Sequence, residues 1–424
     1  MLTTVQPVTL TDARRPEIRF LPIDREETYL EWLSLFEHDP LANPVQHPAY
    51  VLEELKRIVI AKETQPAVIR CGTNTECDGI GVLVPKQVRT ERVGGIGPGW
   101  SLRGLRLPGG SFLAVNSSVD TQSQLLSAAI SHCAKVGADF LLIEDLDEKS
   151  PLHRAVYESD ASGFQLFAAR EVQPRWRIEF PRDEEAYWKT FSGRTRRAFR
   201  TRLRKFGETH LERITSVEQI PAFLTAAHEI SKQSWQSRQF GLRIRNDQNE
   251  LREMSILAQH GFLRSYLWQV EGKPAAFAFC HQHAGYFRYE EIAYCARFSA
   301  LSPGETMLQQ IVEDLYRHDL PQQFDFGGGD AEYKRRFGNL ESHSQTLWLV
   351  PRTIRAGAAL TYLHACRGVR STGRRLVRFC GLATKARQWL RYGGRAANAK
   401  VETSQSSESD VESSTPDQKG QSQS

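Results

Sequence analysis

Nowhere in the 424-residue chain do about 18 apolar residues follow one another, so no transmembrane helix is expected. The first twenty residues lack a basic-then-apolar pattern, so no signal peptide is expected either. The 7 cysteines are odd in number, scattered, and never form a C-x-x-C pair. That excludes a disulfide framework and a thiolate zinc site, and fits the reducing cytoplasm. Acidic residues are missing from 351–400, where Lys and Arg recur. Large apolar residues are nearly missing from 401–424, "VETSQSSESDVESSTPDQKGQSQS", which cannot offset its ordering entropy and is expected to be disordered.

What remains is ordinary globular material, with 40% apolar and 25% charged residues and length enough for two domains. "EETYLEWLSLFEH" puts Tyr29, Leu30, Leu33 and Phe36 on one helical face, and "PAYVLEELKRI" reads as a second helix. "PAVIR" and "DGIGVLVPKQVR" are strand candidates around a polar turn. "TQSQLLSAAISHCAKVG" has helical spacing at Leu125, Leu126, Ala129, Ile130 and Cys133 with Gly137 as a stop. "ADFLLIEDL" is a strand, "SPLHRAVYES" a helix capped by Ser150, and "FQLFAAREV" a strand. The second half repeats this order. "GFLRSYLWQV", "AAFAFCHQH" and "YFRYEEIAYCA" are strands joined by tight turns; "SPGETMLQQIVEDLYRH" is a helix, "QQFDF" a strand, "AEYKRRFG" a short helix and "SQTLWLV" a strand. The pattern predicts two like-folded α/β domains with a mixed sheet, at 1–175 and 176–350. A basic helical extension at 351–400 and the acidic tail at 401–424 follow.

Several places carry candidate chemistry. In "SALSPGETML" a strand ends and a helix begins, and Ser302, Pro303 and Gly304 let a phosphate approach the free amides; a plain capped helix start reads equally well. In "FDFGGGDAEYKRRFG", Asp325 and Asp330 bracket Gly327, Gly328 and Gly329 at the carboxyl end of a strand, where ligands sit in open α/β sheets. Glycines there expose backbone N–H groups, Tyr333 can protonate a leaving group, and Lys334 can pair with a phosphate. Glu290 and Glu291 are strand neighbours on opposite faces, so one of them faces a cleft as a base. His281 and His283 share a face but lack a third metal ligand, so they read as a packed or solvated pair. "SKQSWQSRQFGLRI" offers Trp235 and Arg238 to a substrate, Trp235 being equally suited to a core. "FSGRTRRAFRTRLRKFGE" is a basic helix with Arg197 among its arginines and an apolar stripe of Phe199, Leu203 and Phe206. It suits phosphates of a nucleotide, a lipid carrier or RNA, or simply a solvated face. A basic amphipathic stretch at 374–392 suits an anionic membrane surface.

With these pieces in place, residues 176–350 resemble a GNAT-type acyltransferase domain, and more narrowly the CelD/BcsL-like branch related to the FemAB aminoacyl transferases. "SGRTRRAFRTRLRKF", "SWQSRQFGL", "VEGKPAAFAF", the "SPG" helix start and "DFGGGDAEYKRRFG" carry the resemblance. The first half resembles, in outline, the degenerate partner domain of tandem members. The resemblance implies acyl-CoA as co-substrate, no permanently bound cofactor and no metal. It implies an amine or hydroxyl acceptor, such as a sugar or lipid-linked precursor, and cell-envelope polysaccharide work in the cytoplasm or at the inner face of the membrane. Glu290 or Asp330 is then the base, Tyr333 the acid, and Ser302, Pro303, Gly304 and Lys334 the donor site. Trp235, Arg238, Arg197, Asp325 and the three glycines hold substrate. The superfamily's basic or Gln residue followed by G-x-G/A is absent before "SPGETML". FemAB relatives use aminoacyl-tRNA, the one case in which nucleic acid is a partner. A tandem scaffold without catalysis is the remaining alternative.

Overall fold

The computed structural model describes residues 16–58, 64–89, 100–116, 118–158, 163–234 and 244–379, with side chains up to residue 366. The first half supplies β1 (Glu17–Leu21), β2 (Ala67–Gly72), β3 (Cys77–Arg89), β4 (Ser101–Leu107), β5 (Leu113–Ala114), β6 (Leu141–Asp147) and β7 (Phe164–Ala168). The second supplies β8 (Gln173–Glu179), β9 (Thr209–Ile214), β10 (Ser265–Val270), β11 (Lys273–His283), β12 (Tyr286–Tyr294), β13 (Gln323–Gly328) and β14 (Leu340–Pro351). All lie in one mixed sheet, ordered β1-β2-β3-β4-β6-β14-β8-β13-β12-β11-β10-β9, with β5 on β3 and β7 on β14.

Two parallel pairs break an otherwise antiparallel sheet among the described residues. β4 pairs β6 around the crossover helix Val119–Lys135, and β12 pairs β13 around the crossover helix Pro303–His318. This is the internal repeat that the element order announced. The halves are not separable at 175/176, because that cut falls inside β8. The last strand also serves both: residues 340–344 of β14 pair β8, and residues 344–351 run between β6 and β7.

Local chemistry explains the elements. Ser150 accepts from the His153 amide at 3.1 Å and caps the helix Pro151–Glu158. Left-handed backbone at Glu271–Gly272 and Ala284–Gly285 makes the two hairpin turns flanking β11. In the helix Glu26–His38 the buried face is Trp32, Leu35 and Phe36; of the expected stripe Phe36 is buried, Tyr29 and Leu33 are half-buried and Leu30 is exposed. Two apolar faces compete in that helix. The Trp32 indole decides between them by donating to the Gln46 carbonyl at 2.9 Å.

Apolar clusters cover both sides of each half. Helices Ile220–Gln233 and Gln248–Gln259 pack on one side of the second half, and helix Pro303–His318 on the other. The described residues among 1–89 and 101–360 form one compact unit. Trp100 and residues from 361 on belong to a second, in which Trp100 stacks on Tyr362 with ring centroids 5.3 Å apart. The basic stretch 374–392 and the tail 401–424 lie outside the described side chains. No helix of the described residues is long and apolar enough to cross a membrane.

The halves meet through an aromatic–histidine cluster. His47 lies 4.1 Å from His260, and Phe36 stacks on His283 at 4.4 Å, with Phe262 against both. His47 is buried, and its Nδ1 accepts from the Ala49 amide at 3.3 Å, so it must stay neutral to cap the helix Pro48–Arg57. Burial first, then His260 and His283, pull its pKa down to about 4. The unfolded chain binds this proton more readily, so stability rises with pH between about 4 and 6.5. Urea unfolding should show about 3 kcal/mol lost as pH falls through that window, and His47→Asn should remove most of this slope. Equal slopes in the two proteins would discard the assignment.

Candidate active site

The glycine loop that ends β13 is closed upon itself. The Gly327 amide donates to Asp325 Oδ1 at 2.9 Å, the Gly328 amide to Asp145 Oδ2 at 3.1 Å, and the Gly329 amide to the Pro174 carbonyl at 3.0 Å. All three N–H groups are spent inside the protein, contrary to the expectation that they face a ligand. The glycines are needed for another reason. A Cβ at Gly328 would stand 2.5 Å from Asp145 Oδ1, and Gly327 and Gly329 hold positive φ. Lys334 is likewise internal. Its ammonium donates to the carbonyls of Phe326, Gly327 and Gly328 at 2.8, 3.3 and 3.1 Å, leaving nothing for a phosphate.

Asp325 anchors this floor. It is 3% exposed and takes Arg175 as a fork at 3.0–3.1 Å through Nε, with Arg177 Nε at 3.6 Å and Arg288 Nη1 at 3.9 Å. Burial pushes its pKa up, but Arg175 and then Arg177 and Arg288 outweigh it, so the carboxyl is held well below the usual range. Arg177 also pairs with Asp147, and Arg175 donates to the Asp145 carbonyl at 2.9 Å. Asp325 was expected to hold substrate; it is instead the centre of a buried ion cluster.

Above this floor lies a cavity of about 420 Å³ with walls from both halves. The second half contributes His281, Arg288, Tyr289 and Glu290; the first contributes Glu144 and Asp145, among others. Glu290 is the extra residue of a β-bulge. Phe279 faces Glu291 and Cys280 faces Tyr289, so Glu290 has no cross-strand partner on β11. Bulges re-aim side chains in this way. The bulge also shifts the alternation: Phe287 and Tyr289 join the same core as Ile292 and Tyr294. The parallel pairing of β12 with β13 ends at Arg288/Asp325, and β12 continues past that point to Tyr294. Glu290 therefore sits where the two strands part.

The Glu290 carboxylate, 46% exposed to the cavity, accepts from His281 Nε2 at 3.1 Å. His281 is buried, and its Nδ1 has no partner among the described residues. Burial raises the Glu290 pKa, while the His281 hydrogen bond and charge and then Arg288 lower it further, leaving it below its ordinary value. A positioned carboxylate at a solvent-reachable cavity, braced by a buried imidazole, is equipped to take a proton.

The remaining expected residues lie elsewhere. Ser302 is exposed and left-handed (φ 54°) and gives no side-chain cap; Pro303 is buried and Gly304 half-buried. Glu305, in the first turn of that helix, pairs with Arg202 and, at 2.7 Å, with Arg336, which ties this corner to the helix Glu332–Phe337. The cavity takes Asp325 and Gly327 from the second corner and nothing from residues 302–304. Tyr333 packs edge-on against Phe326 at 6.0 Å, in the core beneath the helix Pro303–His318. Phe324 and Phe326 point to that core and Asp325, between them, to the opposite face, so Tyr333 and Glu290 approach the strand divergence from opposite sides. Burial, and then Glu291, raise the Tyr333 hydroxyl well above its ordinary pKa. Asp330 is exposed and paired with Arg335 at 3.0 Å, outside the cavity. Arg197 is exposed on the helix Gly193–Lys205; Trp235 and Arg238 lie outside the described residues.

Sequence reasoning missed Arg175, Arg288, Glu144 and Asp145, and read His281 as half of a packed or solvated pair. The nearest signal was the hairpin "CHQHAGYFRYEE", whose register sets His281 opposite Arg288 and so within reach of the bulged Glu290.

Residues 193–335 match the family model of the acetyltransferase (GNAT) domain. Among solved structures, FemX is 14% identical, covering 78% of this chain and 97% of its own with a TM-score of 0.55, a likeness of fold. A tandem GNAT protein from the clavulanic acid biosynthesis pathway is 12% identical, covering 80% of this chain and 98% of its own with a TM-score of 0.44. The sequence search of curated proteins finds no match.

Proposed function

Taking the GNAT-type acetyltransferase domain at 193–335 as the premise, we propose that this protein moves an acyl group from acyl-CoA to an amine or hydroxyl acceptor, with Glu290 as the base. One observation carries this reading: the Glu290 carboxylate, re-aimed by its bulge and braced by His281, opens into a cavity at the point where β12 and β13 part.

For an amine acceptor, Glu290 takes a proton from the ammonium and the nitrogen attacks the thioester carbonyl directly. A backbone amide where the two strands part would polarise that carbonyl. The C–N bond forms, the C–S bond breaks, and the thiolate receives the proton of Tyr333, which regains one from the new amide nitrogen. The net release is one proton to solvent. The raised hydroxyl pKa of Tyr333 keeps it protonated for this role. Between the two carboxylates expected as base, the cavity favours Glu290 over the exposed, paired Asp330. Under this reading the donor approaches from the side of the Pro303–His318 helix start and the acceptor through the cavity. Work on a cell-envelope polysaccharide or lipid-linked precursor, in the cytoplasm or at its membrane face through 374–392, completes the proposal.

A second donor is favoured by one feature. Arg194, Arg196, Arg197, Arg200, Arg204 and Lys205 are exposed on the helix Gly193–Lys205 with no acidic partner among the described residues. Such an uncompensated face suits a polyanion such as aminoacyl-tRNA. Thermal shift with acetyl-CoA against a gel shift with tRNA separates the two. Acetyl-CoA should raise the melting temperature by several degrees, and tRNA should leave the protein unshifted at 150 mM salt. The reverse pattern transfers the proposal to the aminoacyl donor.

A further inference from the structure

The helix Gly193–Lys205 carries a charge that transfer from acyl-CoA leaves unused. Its inner side is fixed. Phe199 and the C-cap residue Phe206 are buried, Leu203 packs on the same core, and Arg202 pairs with Glu305. Its outer side is bare. Arg194, Arg196, Arg197, Arg200, Arg204 and Lys205 are all exposed, and none of their side chains pairs with an acid among the described residues. At about 100° per residue the six fall within about half of the helix circumference, along roughly 16 Å of its axis.

This arrangement costs the helix stability. Arg200 stands four residues from both Arg196 and Arg204, and like charges at that spacing destabilise a helix. The first turn holds no acid, and Arg194 and Arg196 sit at the positive end of the dipole. An anionic partner relieves both penalties. The rest of the face says which anion. No aromatic ring and no apolar side chain is exposed on it, and the hydroxyls of Ser192 and Thr195 bond each other at 2.9 Å. RNA is read through stacked bases, base edges and 2′-hydroxyls, and such a face has almost nothing to read them with. It reads charge density alone, which is what an anionic bilayer offers.

We infer that the outer side of the helix Gly193–Lys205 is a docking surface for an anionic lipid bilayer, met through the headgroup phosphates. The contact is peripheral and electrostatic, with no side chain inserted among the acyl chains. It goes beyond the transferase reading and holds whichever donor the site takes. The Arg202–Glu305 pair joins the docked helix to the first turn of the helix Pro303–His318. The six cations hold nothing inside the protein, so replacing three of them does not threaten the fold.

Sedimentation of the full chain with vesicles tests this. The probes are phosphatidylcholine vesicles with and without about one-third phosphatidylglycerol, at about 0.1 M and about 1 M salt, where the Debye length is about 10 Å and 3 Å. The chain should bind the anionic vesicles at the lower salt, at least tenfold less at the higher, and the neutral vesicles not at all. Each cation near an anionic surface is worth about fivefold, so Arg197→Gln, Arg200→Gln and Arg204→Gln together should lower partitioning by about 100-fold. Lysine at the same three positions should keep it within about threefold, and both variants should melt with the wild type. The stretch 374–392 is intact in both, so full binding by the triple glutamine variant places the contact elsewhere and overturns the inference. Equal binding to neutral vesicles overturns it too. So does a tRNA gel shift at about 0.15 M salt that the glutamine variant abolishes, with no vesicle binding by the wild type, which assigns the face to RNA.

Discussion

Glu290→Gln should lower kcat/KM for amide formation from acetyl-CoA and a primary amine acceptor by about 10²- to 10⁴-fold, the usual worth of a positioned base. Glutamine keeps the size of the side chain and an oxygen that accepts from His281 Nε2, so the fold and the cavity are preserved while the proton acceptor is lost. Mass-spectrometric detection of the acylated amine reads the reaction without interference from the protein's own thiols. The pH profile adds a second readout. Because the Glu290 carboxyl titrates below its ordinary value, its protonation limb in the wild type should lie below about pH 4.5. Glu290→Asp should retain part of the rate. Unchanged turnover in Glu290→Gln would remove the carboxylate from the chemistry.

Asp325→Ala should destabilise the protein by about 3–5 kcal/mol, the cost of stripping the partner from buried charges. Arg175, Arg177 and Arg288 converge on this carboxylate, and the Gly327 amide rests on it. Without it three guanidinium groups face one another, with Asp145, Asp147 and the partly exposed Glu290 left to offset them. The pH dependence has a definite sign. A carboxyl held below its unfolded value contributes stability that is complete above about pH 4 and is lost as pH falls further. This window lies under that of His47, so acid unfolding should show two separable losses. Urea unfolding of Asp325→Ala at pH 7 checks the first claim; a loss under about 1 kcal/mol would mean the cluster is not the anchor described here.

The architecture was legible where side chains alternate or repeat with a clear period. The strands from 263 to 295 were read as strands, and the crossover helices at 119 and 303 with their buried faces. Five strands were not, the short edge strand β1 and the two-residue β5 among them. β9 is a polar sheet edge, and β4 carries a glycine and two arginines in seven residues, so neither presents an apolar run. β8, "QPRWRIE", read as the junction between domains because Arg175 and Arg177 look solvated. Their partners, Asp325, Asp145 and Asp147, lie 30 or 150 residues away in sequence, and no local pattern announces such pairings. The same limit hid the true role of the glycine loop. Its residues were rightly marked as special, but a chain read in one dimension cannot tell an amide offered to a ligand from one already bonded to Asp145. Glu290 was found as one of two neighbours, because strand alternation guarantees that one of them faces away from the core. The bulge that selected it depends on pairing with β11, which only the fold supplies.

The central claim is that acyl donor and acceptor meet at the divergence of β12 and β13 beside Glu290. A crystal structure with a bisubstrate adduct, a primary amine joined through an acetyl bridge to the sulfur of CoA, tests it most directly. The account expects the bridge between the two strands just beyond Arg288 and Asp325, with the nitrogen against Glu290 and the rest of the amine in the cavity. An adduct lodged anywhere else, with the cavity still empty, would contradict it.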